Sequence, residues 1–178
     1  MALTVGNYLR PARSMISSSI PTMESAESSG QTFSVGELLQ MTSSGNMAVC
    51  ATTSSVLKTG NASGTVYGVA CTTGKALTDA QLVWKSSGHT QYIPAVGWMV
   101  WEAAVLHGTT ASSIIKANQM GQPYSLKRSA SNKVWYVAVD TQSPIQAYIV
   151  GFRDATGTQN GHVYFVLTNT SQALQWRN

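Results

Sequence analysis

The sequence predicts an all-β fold, a sandwich or barrel of about nine or ten short strands with one short connecting helix and an extended N-terminal arm. From Phe33 onward, short apolar or alternating runs recur at intervals of about ten residues, which is the spacing typical of such folds. Gly, Ser, Asn and Thr separate the runs, and these residues favour turns. The chain of 178 residues is long enough for one domain with its own core.

Ten segments are predicted to be strands, because each combines apolar or alternating residues with flanking turn residues. They are Phe33–Met41, Asn46–Thr52, Thr65–Thr72, Ala80–Lys85, Gln91–Val96, Trp98–Val105, Tyr124–Arg128, Lys133–Val139, Ile145–Arg153 and His162–Thr168. In the run Ile145–Arg153, period two gives two apolar sets: Ile145, Ala147 and Ile149 on one face, and Tyr148, Val150 and Phe152 on the other. A strand with two apolar faces is expected at the centre of the core or under another subunit.

One segment, Ala111–Met120, is predicted to be a helix that connects two strands. Thr109 or Thr110 is placed to cap its start and Gly121 to end it.

Residues 1–32 are predicted to form an extended arm outside the β-rich domain, which covers residues 33–168 and is followed by a tail at 169–178. The arm is rich in Ser and carries isolated apolar residues without a sustained period. These apolar residues are too sparse to pack alone, so the arm is expected to become ordered on a neighbouring subunit. A disordered terminus is the alternative. If the arm becomes ordered on a neighbouring subunit, deletion of residues 1–32 should leave a folded domain that binds its partner weakly.

The composition indicates a surface made to be covered by other proteins. Charged residues are only 10% of the chain, against roughly 25% in an average soluble domain, and Ser and Thr make up nearly a quarter of it. Hydroxyl groups can form new hydrogen bonds across a contact, whereas a buried unpaired charge costs several kcal/mol. The net charge of +4 reflects few acids and favours an acidic partner surface. The Lys and Arg residues are too scattered to predict binding to nucleic acid.

No segment predicts a catalytic, cofactor or metal site, so the chain is not expected to be an enzyme or to take a small-molecule substrate. His89, His107 and His162 lie in separate segments without a nearby ligand at metal-binding spacing. Glu102 is the acid of most interest, because a carboxylate within an apolar strand can be partly buried. A salt bridge, or a position facing solvent, is its default interpretation.

The remaining features concern location and contact. Cys50 and Cys71 lie in apolar runs, as expected for buried free thiols in a reducing compartment. No apolar run reaches the roughly 20 residues of a membrane span, and the start lacks the pattern of a secretion signal.

Trp98 and Trp101 have opposite parity, so in a regular strand one of them faces outward. The candidate interface residues are Leu9, Arg10, Arg13, Met15, Ile16, Ile20, Trp98, Trp101, Tyr148 and Phe152.

The order of segments from residue 65 to 167 resembles the head decoration, or cement, proteins of tailed bacteriophages. The resemblance lies in Thr65–Ala70, Tyr92–Ala103, Gln122–Leu126, Lys133–Val137 and Ile149–Val166. The Ser-rich arm and the Trp98 and Trp101 pair depart from it, which leaves the mode of attachment open.

This resemblance implies a structural virion protein. It would bind the outer surface of the capsid and cement neighbouring major capsid protein subunits against DNA pressure. It further implies a homotrimer or homodimer that is assembled in the host cytoplasm. Two alternatives remain: another phage structural component, such as a tail or head–tail connector protein, and a carbohydrate-binding adhesion module that uses Trp98 or Trp101.

Overall fold

The computed structural model describes residues 9–15, 19–31, 33–53, 56–57, 65–71, 88–107, 113–130 and 133–168. It confirms the prediction of an all-β chain. The strands in these residues are β1 Arg10–Ser14, β2 Met23–Ala26, β3 Leu38–Met41, β4 Met47–Val49, β5 Thr52–Thr53, β6 Val56–Leu57, β7 Gly68–Ala70, β8 His89–Pro94, β9 Met99–Leu106, β10 Pro123–Arg128, β11 Trp135–Ala138, β12 Ala147–Phe152 and β13 His162–Leu167. Each predicted strand segment overlaps one of them, apart from Ala80–Lys85. That segment and the predicted tail 169–178 lie outside the described residues.

Five of these strands close into a barrel in the order β9, β13, β12, β10, β11 and back to β9. Four of the pairings are antiparallel, and β11 joins β9 in parallel, with Val137 opposite Val105. All eight residues of β9 are buried. Its alternate side chains from Met99 to Val105 point into the main core, and Ala104 and Leu106 pack in a second cluster on its other face. A strand that is apolar on both faces is typical of such a central position.

The second sheet has the order β2, β8, β7, β3, β4 in the described residues, and all its pairs are antiparallel. A buried ion pair connects it to the barrel. Glu37, which lies just before β3, accepts from the backbone N–H of Ser34 at 3.0 Å and from Nε of Arg128, at the end of β10, at 2.5 Å. Because Glu37 is almost fully buried, these hydrogen bonds offset the cost of removing its charge from water.

A buried amide orders the start of β12. The side chain of Gln146 has no exposed surface; it accepts from the backbone N–H of Leu126 at 2.6 Å and donates to the carbonyl of Leu57. One side chain thereby holds β6, β10 and the entry to β12 together. A buried side chain whose polar atoms are paired in this way favours one register of the strands around it.

The N-terminal segment contributes an outer strand to each sheet of its own chain. β1 pairs with β9, with Arg10 opposite Glu102, and β2 pairs with β8, with Met23 opposite Tyr92. In the described residues, the N-terminal segment thus pairs within its own chain, whereas the sequence predicted an arm that becomes ordered on a neighbouring subunit. The sequence did not reveal β1 and β2 as strands because both are short. In addition, Pro11 lies within β1, and the register shifts between Pro11 and Arg13. Edge strands tolerate both proline and bulges.

The region predicted as a helix is mostly irregular. Residues 111 and 112 lie outside the described part, residues 113–116 are extended or irregular, and Ala117–Gln119 form a 3-10 turn. Gln119 folds back to accept from the backbone N–H of Lys116 at 3.0 Å and donates to the carbonyl of Ile114 at 3.3 Å. A side chain that bonds to the nearby backbone in this way competes with the helical ladder.

The two cysteines are free thiols, as the apolar runs around them predicted. Burial, with a smaller contribution from the charge of Glu37, raises the pKa of the Cys50 thiol far above its ordinary value. A thiol in such surroundings stays protonated and unreactive.

We predict that Leu9→Ala destabilises the protein by about 2–5 kcal/mol, because the side chain is 1% exposed and belongs to the main core. Met15→Ala is the matched control, since Met15 lies at the other end of β1 and is 57% exposed. Its effect should stay within about 0.5 kcal/mol. Urea unfolding followed by circular dichroism measures both. Equal stability of Leu9→Ala and the unmodified chain would show that the segment does not pack as described.

Candidate interaction surface

The outer face of β12 and β13 carries apolar side chains in contact with solvent. In β13, His162, Tyr164 and Val166 alternate with buried residues and are half-buried themselves. In β12, Tyr148 and Val150 are exposed, and Ile149 between them is buried. The alternation follows from the pleat of the strands, which sends successive side chains to opposite faces.

Strand register places these side chains next to one another. Tyr148 is opposite Val166 on one side and opposite Pro123 of β10 on the other. Tyr164 is opposite Gly151, and a Cβ atom at position 151 would lie 3.2 Å from its Cδ2 atom. The ring of Tyr164 therefore extends over the glycine. We refer to Pro123, Tyr148, Val150, Tyr164 and Val166 as the apolar outer face.

Phe152 does not belong to this face, although period two had placed it with Tyr148 and Val150. The register shifts between Ile149 and Gly151, so that Phe152 is opposite Val163, a buried residue. Phe152 is half-buried and packs against the main core. A β-bulge inserts one extra residue and reverses the parity of everything after it.

An ion-pair network centred on Glu102 lies beside the apolar outer face. Glu102 is opposite Tyr164 on one side and opposite Arg10 on the other. Its Oε1 atom accepts from Nη2 of Arg10 at 2.9 Å and from Nη1 of Arg153 at 2.5 Å. The carboxylate is nearly buried, whereas the side chains of Arg10 and Arg153 are 51% and 42% exposed. The salt bridge expected at Glu102 is thus present, and it is shared between two arginines.

The charges in the network reinforce each other. The hydrogen bond to Glu102, followed by its negative charge, raises the pKa of the Arg153 guanidinium. A second carboxylate, Asp154, accepts from the backbone N–H of His162 at 2.7 Å and lies 3.2 Å from its Nδ1 atom. The backbone hydrogen bond is the main cause that lowers the pKa of Asp154. The hairpin between β12 and β13 brings this pair together, which the separation of eight residues in sequence did not indicate.

The other predicted interface residues have different surroundings. Leu9 and Trp101 are fully buried in the core, so neither side chain forms part of the outer surface of the described chain. Trp98 lies in the turn before β9, half-buried against that core. Arg13 is exposed on β1 opposite Val100, and Met15 and Ile20 are exposed. Ile16 lies outside the described residues.

Among the predicted residues, Arg10, Arg13 and Tyr148 lie on one sheet, in which β1 and β12 flank β9 and β13. Four further residues were not among the predicted interface residues, namely Arg153, Val150, Tyr164 and Val166, although period two had placed Val150 on the same face as Tyr148. Burial alternates along β13, but Val163 to Leu167 are all apolar in the sequence, so the sequence did not show that Tyr164 and Val166 face outward. The position of Arg153 depends on the bulge in β12, for which the sequence carries no such signal.

We predict that Asp154→Asn reduces the loss of stability in acid. Because the folded-state pKa of Asp154 is lowered from its ordinary value of 3.8, its stabilising contribution is complete above that value and is lost as the pH falls through the lower folded value. Unfolding free energies measured between about pH 5 and about pH 2 should therefore decrease less in Asp154→Asn than in the unmodified chain.

His162→Gln is the control for this experiment. It keeps the backbone N–H that mainly lowers the Asp154 pKa, so most of the acid sensitivity should remain. If Asp154→Asn and the unmodified chain lost stability in parallel, the described hydrogen bonds would not be those of the folded protein.

The described residues contain no group of three or more His, Cys, Asp or Glu side chains that could hold a metal ion. Within the same residues, no helix has the length and apolar character needed to cross a membrane. No protein-family model, no curated protein and no solved structure matches the chain.

Proposed function

We propose that the chain is a structural virion protein that binds the outer surface of a tailed-phage capsid and cements neighbouring major capsid protein subunits. The observation that carries this proposal is the apolar outer face, where Tyr148 and Val150 are exposed at the centre of a sheet. The resemblance of residues 65–167 to decoration proteins supplies the kind of partner. The protein would act as a homotrimer or homodimer on the virion surface.

The composition of the apolar outer face supports adhesion to protein. Interface centres are depleted in charged residues and enriched in aromatic side chains, with Arg also enriched in the contact. The five residues of the apolar outer face include two tyrosines and carry no formal charge, while Arg10 and Arg153 lie beside them on the same sheet. Covering such a face removes apolar area from water, and the charged groups remain at the edge.

On a capsid lattice, a contact of low affinity at each single site is sufficient for stable binding. A decorated head presents the same site many times, and a protein with two or three linked copies binds several sites at once. Each additional site adds binding free energy without any new kind of contact. A small apolar face is therefore sufficient for a protein that binds once and remains bound.

The carbohydrate-binding alternative has less support. A sugar platform needs a tryptophan ring that is open to solvent on one face, and Trp101 is fully buried while Trp98 packs against the core. A tail or connector protein remains a second candidate, because it would share the charge-poor composition and an adhesive face. Copy number separates the two: a cement protein is present in far more copies on each particle than a connector.

We predict that the double variant Tyr148→Ser, Val150→Ser binds expanded capsids at least about 10-fold more weakly, because central aromatic anchors commonly contribute about 2 kcal/mol or more. The capsids are those of the phage that encodes the chain, assembled without it. Co-sedimentation over a range of protein concentrations gives the dissociation constant and the number of copies bound.

Val35→Ser is the matched control, because Val35 and Val150 are 42% and 44% exposed and Val35 lies in the turn before β3. It should bind like the unmodified chain. Thermal unfolding of each variant verifies that it is folded. Capsid binding that was unchanged in the double variant would exclude the apolar outer face as the contact, and no binding by the unmodified chain would exclude the cement function.

A further inference from the structure

We infer that the capsid partner presents a carboxylate side chain to Arg10 and Arg153, beside the apolar outer face. This inference rests on the proposed function and specifies the chemistry of the partner. It is based on three features of the structure: the way Glu102 holds the two guanidinium groups, their exposure, and the balance of charge around them.

Glu102 fixes two arginines that come from separate parts of the chain. Arg10 begins β1, and Arg153 follows β12, yet both donate to the same Oε1 atom. The carboxylate is held in turn by β9, whose residues are all buried. An arginine that is already oriented loses less conformational entropy when it binds a second group.

Both guanidinium groups can still donate to a partner. Each has five N–H donors in a planar fork, and the contacts with Glu102 use Nη2 of Arg10 and Nη1 of Arg153. About half of each arginine side chain faces solvent. A carboxylate matches the guanidinium fork in geometry and charge and often accepts two parallel hydrogen bonds from it.

The charged residues placed around Glu102 leave an excess of positive charge. Arg13 of β1 adds a third guanidinium. It is opposite Val100, which lies two residues before Glu102 on the same face of β9. Two acids, Glu102 and Asp154, oppose these three arginines, and Asp154 also faces His162. A partner with carboxylates at this edge would complement the excess charge and would be steered to the face as it approaches.

Two other occupants fit less well. A two-fold contact between copies of this chain would place the same net-positive patch on both sides, and the two patches would repel each other. Nucleic acid binds through many phosphate contacts, and three arginines beside an uncharged apolar face supply few. An acidic protein surface uses both the arginines and the apolar outer face.

The test measures capsid binding of Arg153→Gln and Arg153→Lys at about 50 mM and about 500 mM salt, because exposed charges are screened across this range. We expect Arg153→Gln to bind about 5- to 10-fold more weakly at low salt and to lose part of the salt dependence. Arg153→Lys keeps the charge but not the fork, and should lie in between. Lys133→Gln, at an exposed position in the turn before β11, removes the same charge and should change binding less than about 2-fold.

A second arm tests the partner's carboxylates directly. Capsids whose surface carboxylates have been converted to neutral amides with a carbodiimide and ethanolamine should bind the unmodified chain more weakly, while binding of Arg153→Gln should change little further. Thermal unfolding verifies that each variant is folded.

Three outcomes would overturn the inference: equal binding of Arg153→Gln and Lys133→Gln, self-association in ultracentrifugation that Arg153→Gln abolishes, or duplex DNA binding that it abolishes. If Arg153→Gln and Lys133→Gln bound equally, the cement function would still stand, because the unmodified chain binds capsids. If the unmodified chain bound no capsid at all, the proposed function would fail, and the inference with it.

Discussion

Burial of β9 on both faces is the constraint on which the rest of the structure depends. One of its edges pairs with β13, and its other edge is divided between β1 at the start and β11 at the end. Its inner side chains, among them Trp101, fill the barrel core. Its outer side chains include Glu102, which orients the arginines beside the apolar outer face. The same strand therefore closes the barrel and positions the charged edge of the candidate surface.

The scarcity of charge has a different meaning once the positions of the charges are known. Glu37 and Glu102 are almost fully buried, and each is held by arginine side chains from distant parts of the chain. These acids organise the structure more than they solubilise it. With so few charges, each ion pair has little competition from other partners, and the arginines at Glu102 can be both structural and available for binding.

The sequence was sufficient for the fold class and for most strands of the barrel, because apolar alternation is a local signal. Segments such as Lys133–Val139 and His162–Thr168 could be placed to within a few residues. It was insufficient where non-local pairing decides the outcome. β1 and β2 are short and half-exposed, so only their partners β9 and β8 reveal them as strands. The predicted helix failed because Gln119 bonds to the backbone before its own turn.

The residues of the candidate surface, too, could be predicted only where a local sequence signal was sufficient. Tyr148 followed from parity, since it lies before the bulge in β12, whereas Phe152 lies after it and was assigned to the wrong face. Trp101 was ambiguous because parity shows that two residues differ in direction without showing which one points inward. Arg153 could not be assigned at all, because its contact with Glu102 joins residues 51 positions apart.

The pairing of β1 with β9 also determines when the protein can fold. The residues of β1 are made about 90 positions before their partners in β9, and the barrel closes only once β13 is present. The energy gained from those distant pairings cannot offset chain entropy until they exist. During synthesis β1 therefore has no partner strand until β9 has been made, and the barrel closes in a later step that requires β13.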